Sequence, residues 1–225
     1  MHLLKTIAAR LPHRYQQELK RLHFARLIRK QLFQRAIENE GEFHRLHEWV
    51  KPGDWVLDVG ANVGNYAARL SELVSGEGRV LAFEPVLETF ELLAANAGRF
   101  PISNVTLFNV AASDSFAVRS MHMPKLDTGA SNPYEAHLTD DGDLSVLCMP
   151  VDRLNIQHRI RFIKIDVEGH ELAALKGMRQ LLERDRPVLV IEGKSPDVAA
   201  FLGGLGYSFT QDGNSPNRVF IAAIQ

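Results

Sequence analysis

Apolar and polar positions between residues 55 and 205 follow two alternating patterns. Short apolar runs predict buried strands, and longer stretches with apolar residues at i, i+3, i+4 and i+7 predict amphipathic helices. Strands that alternate with helices are typical of a parallel sheet covered by helices on both faces, the doubly wound α/β class. The predicted strands are 55–59, 79–83, 104–110, 161–167 and 188–191, and the predicted helices are 66–74, 86–97, 171–182 and 197–205.

Residues 115–160 interrupt this alternation. Segments 117–121 and 144–149 have strand character, and a polar segment rich in Gly, Asn, Asp, Ser and Thr separates them. We interpret the region as a β-hairpin insertion between strands 3 and 4, with an expected mobile loop from Lys125 to Gly142. Loops of this length in a compact domain are usually functional or disordered. Two closing strands are predicted at 207–209 and 219–224.

Residues 1–48 are predicted to form an N-terminal helical extension, and residues 49–225 are predicted to form the main domain. The first 50 residues hold 10 Lys and Arg against 5 Asp and Glu, whereas the remainder of the chain is mildly acidic. An amphipathic helix on an anionic membrane surface is one interpretation. A capping or homo-oligomerisation helix is favoured, because the basic residues surround the apolar stripe without forming a dense cluster. Nucleic acid is not an expected partner, since the domain is acidic.

Cysteine content and hydropathy indicate the compartment. The one cysteine, Cys148, excludes an internal disulfide framework and a cysteine-based zinc site. The sequence has no apolar run of about 18 residues and no segment with the pattern of a secretory signal. A reducing, cytoplasmic location is therefore expected.

A glycine-rich turn between the first strand and the first helix predicts a nucleotide-type cofactor site. Gly60 and Gly64 give it backbone freedom, but Asn62 stands where a dinucleotide turn has its second glycine. The carboxylate of Asp58 would repel a pyrophosphate and would suit an ammonium or sulfonium group. Glu84, at the end of the second strand, can accept hydrogen bonds from ribose hydroxyls. Together these residues favour S-adenosylmethionine over a dinucleotide.

Ligands of doubly wound sheets bind outside the carboxyl ends of the strands, so the residues that follow each strand are the cofactor-binding candidates. Two alternatives stay open: Asp58 could cap a helix, and Ser113 with Asp114 could form an ordinary side-chain turn. The candidates are Asp58, Gly60, Ala61, Asn62, Gly64, Asn65, Glu84, Pro85, Ala112, Ser113 and Asp166.

Asp166, Glu168 and His170, which follow the fourth strand, are the catalytic candidates. Asp166 is expected to orient an acceptor or a metal, and His170 is the most suitable base because its intrinsic pKa lies near neutrality. A polar residue at a helix start would explain His170 equally well. Asp166, Glu168 and Glu192 could together hold Mg²⁺. Carboxylates near a helix N-terminus are also stable without a metal, and no metal ligand is assigned.

Two segments, DVGANVGNY at 58–66 and KIDVEGHE at 164–171, resemble the FkbM family of S-adenosylmethionine-dependent methyltransferases. The resemblance covers roughly residues 50–195. It implies a Rossmann-like seven-stranded fold and usually O-methylation, with hydroxyls of sugars, glycans or natural products as acceptors. The alternatives are a nicotinamide-dependent oxidoreductase and a non-catalytic cofactor-binding or scaffold protein.

Overall fold

The computed structural model describes residues 12, 15, 18, 19, 22, 40–125, 132, 135–211, 213 and 215–223. Most of the predicted N-terminal extension and the centre of the predicted loop lie outside these residues. The domain boundary after residue 48 therefore stays a prediction. Within the described part of the chain, no helix has the length and apolar character needed to cross a membrane.

Helices and strands alternate through most of the described chain. The first half contains α1 (Gly41–Trp49), β1 (Trp55–Val59), α2 (Asn65–Val74), β2 (Arg79–Phe83), α3 (Leu87–Ala97), β3 (Val105–Phe108), β4 (Ala111–Ala112) and β5 (Ala117–His122). The second half contains β6 (His137–Leu138), β7 (Leu144–Met149), a 3₁₀ helix (Val151–Leu154), β8 (Ile160–Ile165), α4 (Glu171–Lys176), α5 (Arg179–Asp185), β9 (Val188–Glu192), α6 (Pro196–Gly204), β10 (Tyr207–Thr210) and β11 (Asn217–Ala222).

The main sheet has seven strands in the order β10-β11-β9-β8-β1-β2-β3. Strands β1, β2, β3, β8 and β9 pair in parallel, and β11 runs antiparallel between β9 and β10. Alternate residues of β1 enter two different cores, with Leu57 in one and Val56 in the other. Both faces of the central strands are therefore covered. The predicted doubly wound, mostly parallel seven-stranded sheet is confirmed.

The insertion forms a second, four-stranded sheet with the order β4-β7-β5-β6. Its antiparallel β5–β7 pair is the predicted hairpin. Strand 3, predicted over 104–110, is present but shorter, because β3 stops at Phe108 and Ala111–Ala112 pair in parallel with β7 instead. His137–Leu138, within the predicted loop, pair with β5 as β6. These pairings join residues distant in sequence, which local periodicity does not report.

The helix predicted over 171–182 is two helices, α4 and α5. Gly177 separates them, and a Cβ atom there would lie 1.8 Å from the carbonyl oxygen of Ser113. The carboxylate of Asp152 then accepts hydrogen bonds from the backbone N–H groups of Gln180 and Leu181, at 2.9 and 3.0 Å. The break therefore depends on a close approach of the insertion and a cap supplied from outside the helix.

Candidate cofactor and acceptor site

A cavity of about 260 Å³ opens at the carboxyl ends of β1, β2, β8 and β9. The insertion sheet closes one side of it through Met121, Ala136 and Leu138. The remaining lining residues are Val59, Gly60, Asn62, Phe83, Glu84, Pro85, Val86, Val110, Ala111, Ala112, Asp166, Val167, Glu168, His170 and Glu192. This is the edge at which ligands of open α/β sheets bind.

Most of the residues predicted from the sequence meet in this cavity. Those that line it are Gly60, Asn62, Glu84, Pro85, Ala112, Asp166, Glu168 and His170. Five other candidates, Asp58, Ala61, Gly64, Asn65 and Ser113, are not among the lining residues. Their individual roles in binding or catalysis remain predictions.

The glycine turn joins the exits of three strands. The N–H groups of Gly60 and Ala61 both donate to the carbonyl of Phe83, at 3.0 and 2.9 Å. The N–H of Asp166 donates to the carbonyl of Val59 at 2.9 Å. Gly60 has φ of +81°, and a Cβ atom there would lie 1.7 Å from the carbonyl oxygen of Asp166. Only glycine satisfies both the dihedral angle and the contact.

Glu84 is fixed in the cavity by backbone donors. Its two carboxylate oxygens accept from the N–H of Asn62 at 3.0 Å and from the N–H of Val86 at 2.9 Å. Asn62 has φ of +50°, and its own side-chain oxygen accepts from Val63 N–H at 2.8 Å. Each carboxylate oxygen has a second acceptor position, so Glu84 can still bind two hydroxyls of a ligand.

Asp58 lies behind the turn, with only 1% of its surface exposed. The N–H of Ala67 in α2 donates to its carboxylate, and its Oδ2 has no hydrogen-bond partner among the described residues. Burial raises the pKa of Asp58 to about 7, while the neighbouring Lys164 ammonium acts in the opposite direction. Asp58 is therefore a buried carboxyl behind the turn and α2, and it is not part of the cavity wall.

His170 and Ser113 form a pair that the sequence did not predict. Ser113 Oγ and His170 Nε2 are 2.9 Å apart, and Ser113 is fully buried. Burial lowers the pKa of His170, and the nearby guanidinium of Arg119 lowers it further. Ser113 therefore orients the imidazole, which is neutral near pH 7 and able to accept a proton.

Three carboxyl groups, those of Asp166, Glu168 and Glu192, also line the cavity. Burial, together with a hydrogen bond with the side chain of Asp166, raises the pKa of Glu192 to about 8. Burial and the carboxylate of Asp166 also raise the pKa of Glu168. Within the described part of the chain, no group of three or more His, Cys, Asp or Glu side chains is arranged to hold a metal ion. Glu168 and Glu192 thus bind their protons more tightly than a solvent-exposed glutamate does.

Folding stability without a ligand is expected to fall as the pH rises from about 4 to about 8. The pKa of Glu84 is raised to about 7, mainly by burial, so this carboxyl binds its proton more tightly in the folded chain than in the unfolded chain. Its contribution is complete below the unfolded pKa and is lost as the pH passes the folded value. At about 1.4 kcal/mol per pKa unit, the loss is up to roughly 3 kcal/mol. Urea unfolding at pH 4.5 and 8.5 measures most of this loss, and an equal slope in the Glu84→Gln variant would contradict the assignment.

One buried cation beside the site, Lys164, was not among the sequence candidates. Its ammonium lies 3.8 Å from Asp166 Oδ2 and donates to Asn217 Oδ1 at 2.8 Å. A lysine between two isoleucines, Ile163 and Ile165, was the available signal, because lysine is rarely buried without a partner. The apolar wall from the insertion gave no comparable signal.

Comparisons with known proteins agree with this geometry. The sequence profile of the methyltransferase FkbM domain matches residues 58–209. Hexuronic acid methyltransferase AglP of Haloferax volcanii is 30% identical over 148 residues, covering 64% of this chain and 58% of that protein. The chain thus spans little more than half the length of this curated relative.

Solved structures show the same fold. A methyltransferase FkbM of Methylobacillus flagellatus superimposes with a TM-score of 0.53 at 21% identity, over 78% of this chain and 49% of that one. An rRNA methylase of Streptococcus thermophilus superimposes with a TM-score of 0.51 at 16% identity, over 82% and 95%. The profile matches residues 58–209, which is most of the chain. Together with the sheet order and the site geometry, this match places the chain in the FkbM methyltransferase family.

Proposed function

We propose that the protein is an S-adenosylmethionine-dependent methyltransferase that methylates a hydroxyl of a sugar, glycan or natural-product small molecule. The observation that carries the proposal is Glu84, which is 6% exposed and lines the cavity beside the glycine turn. Asp166 and Glu192 line the same cavity, next to one another. The same cavity thus contains an acid suited to binding the cofactor, Glu84, and a pair of carboxyl groups suited to binding the acceptor.

The residues present fit S-adenosylmethionine. Glu84 would accept hydrogen bonds from the two ribose hydroxyls, and the absence of a side chain at Gly60 lets the ligand approach the backbone. Phe83, Val86 and Val110 provide an apolar surface for a purine. The unpartnered Oδ2 of Asp58 adds negative potential that suits a sulfonium and opposes a pyrophosphate. When bound, S-adenosylmethionine supplies an electrophilic methyl group.

The acceptor side would be served by Asp166, Glu192 and His170. A hydroxyl is a poor nucleophile until its proton is removed, so a base must lie within hydrogen-bond reach. His170 is oriented by Ser113 and lines the cavity, which suits the role of base. The hydrogen-bonded Asp166–Glu192 pair would orient the hydroxyl and exclude water.

The named relative supports a sugar acceptor, since its name states that it acts on a hexuronic acid. Met121, Ala136 and Leu138 of the insertion would provide the apolar contact for the acceptor. The other parts of the proposal rest on the sequence alone. They are a separate N-terminal helical extension, assembly as a homo-oligomer and a cytoplasmic location. Peripheral contact with a membrane through the N-terminal helix is the less favoured alternative.

Calorimetric titration with S-adenosylmethionine and with NAD tests the cofactor class directly. We expect micromolar affinity for S-adenosylmethionine and none for NAD; the reverse result would point to the oxidoreductase alternative. Transfer of a radioactive methyl group to a panel of sugars then tests the acceptor. His170→Asn is expected to lower transfer by about 100-fold or more while leaving cofactor affinity near that of the wild type. Unchanged transfer would remove His170 from the reaction.

A further inference from the structure

A buried chain of polar side chains runs from the start of α1 to the cavity wall. Glu42 accepts from Ser215 Oγ at 2.9 and 3.0 Å and also from the amide nitrogen of Asn217. The amide oxygen of Asn217 accepts from Lys164 Nζ, which lies 3.8 Å from Asp166 Oδ2. Asp166 is hydrogen-bonded to Glu192 in the cavity. A continuous connection thus joins the helix before β1 to the acceptor side of the site.

We propose that Lys164 is a positioning residue for the Asp166–Glu192 pair, and that Asn217 holds it in place. This inference rests on the proposed function, because the carboxyl pair matters only if it faces the cofactor and acceptor. Lys164 is 2% exposed and is not among the residues that line the cofactor and acceptor cavity, so it acts through Asp166.

The position of the Lys164 ammonium is set from several sides. Asp58 on β1 is its neighbour in the sheet register, and Asp166 lies just beyond the end of β8. Its Nζ lies 5.1 Å from the ring centroid of Tyr66 on α2. Asn217 on β11 lies opposite Glu192 of β9 in the register. A buried ammonium needs such partners, and here they hold it against Asp166.

The side-chain amide of Asn217 bridges two carboxylates and the Lys164 ammonium. Its amide nitrogen donates to Glu40 at 2.9 Å and to Glu42, while its amide oxygen accepts from Lys164. Only a side chain that carries a donor and an acceptor on the same terminal group, as an amide does, satisfies both contacts. The two glutamates thereby fix the orientation of the amide, and the amide fixes the ammonium. An aspartate at position 217 would face two carboxylates.

The test measures S-adenosylmethionine affinity by calorimetry for the wild type, Lys164→Met, Lys164→Arg and Asn217→Asp. Lys164→Met is expected to weaken binding by about tenfold or more, because Asp166, which Lys164 positions, is also a cofactor-binding candidate and small displacements in a preorganised site are costly. Asn217→Asp should weaken it too, and Lys164→Arg should retain more affinity than Lys164→Met because the cation is kept. Lys176→Met, which removes an exposed lysine of α4, is the matched control and should bind as the wild type does.

The pH dependence of binding separates positioning from a purely structural role. Lys164 lowers the pKa of both Asp58 and Glu192, so removing it should move the midpoint of the affinity profile to higher pH. If Lys164→Met fails to fold, Asn217→Asp serves alone, because it keeps the lysine. Wild-type affinity and an unchanged midpoint in the folded variants would overturn the role of Lys164. Absence of binding by the wild-type protein would instead overturn the proposed function.

Discussion

Gly60→Ala is expected to destabilise the protein by about 2–5 kcal/mol and to abolish S-adenosylmethionine binding. A non-glycine residue at a left-handed φ costs about 1–2 kcal/mol. The new methyl group would also overlap the Asp166 carbonyl oxygen, 1.7 Å away, and the resulting backbone shift adds about 1–3 kcal/mol. That shift would separate the exits of β1 and β8, where the cofactor site lies. Urea unfolding and calorimetric titration measure the two effects.

Gly53→Ala is the matched control for this substitution. Gly53 has φ of +88°, close to the value at Gly60, but a Cβ atom there meets no other atom within 4 Å. The Gly53→Ala variant should therefore lose only about 1–2 kcal/mol of stability, from the left-handed φ, and should bind the cofactor as the wild type does. Equal stability and equal affinity of the two variants would show that the contact between β1 and β8 does not shape the site.

Glu84→Gln is expected to weaken S-adenosylmethionine binding by roughly 100-fold, about 2.7 kcal/mol. Hydrogen bonds to a charged group contribute about 1.5–3 kcal/mol, and the substitution removes the charge. It also places an NH₂ group against a backbone N–H, because both carboxylate oxygens accept from the backbone and glutamine has only one acceptor. The measurement is calorimetric titration at pH 8, where Glu84 is ionised.

Glu77→Gln provides the control for Glu84, since Glu77 is exposed and precedes β2 whereas Glu84 follows it. It should leave affinity unchanged. Retention of wild-type affinity by Glu84→Gln would mean that the ribose, or the ligand itself, binds elsewhere.

Local patterns in the sequence were sufficient for the architecture of the main sheet. The apolar runs of β1, β2 and β9 and the helical spacing of α2 and α3 are properties of neighbouring residues, and a strand buried on both faces is mostly apolar. Gly60 and Glu84 were found in the same way, because each follows directly on a strand end. The rule that ligands bind at those ends then placed them together.

Other features depended on contacts between distant segments. The break at Gly177 arises because the carbonyl of Ser113 occupies the space a side chain would need. His170 obtained its partner, Ser113, from a segment 57 positions earlier in the chain. Neither contact alters the local hydrophobic pattern, so neither could be predicted from it.

The sequence by itself determined the fold class, the glycine turn and the acids that follow β2 and β8. These features depend on short-range periodicity and on the residues next to strand ends. The tertiary structure decided which of those side chains line the cavity and which lie behind it. It also brought Asn217 to Glu42, 175 positions away, and Lys164 to Asn217. The physical reason is that a buried charge must find its partners in space, and a sheet with long crossovers brings them from any part of the chain.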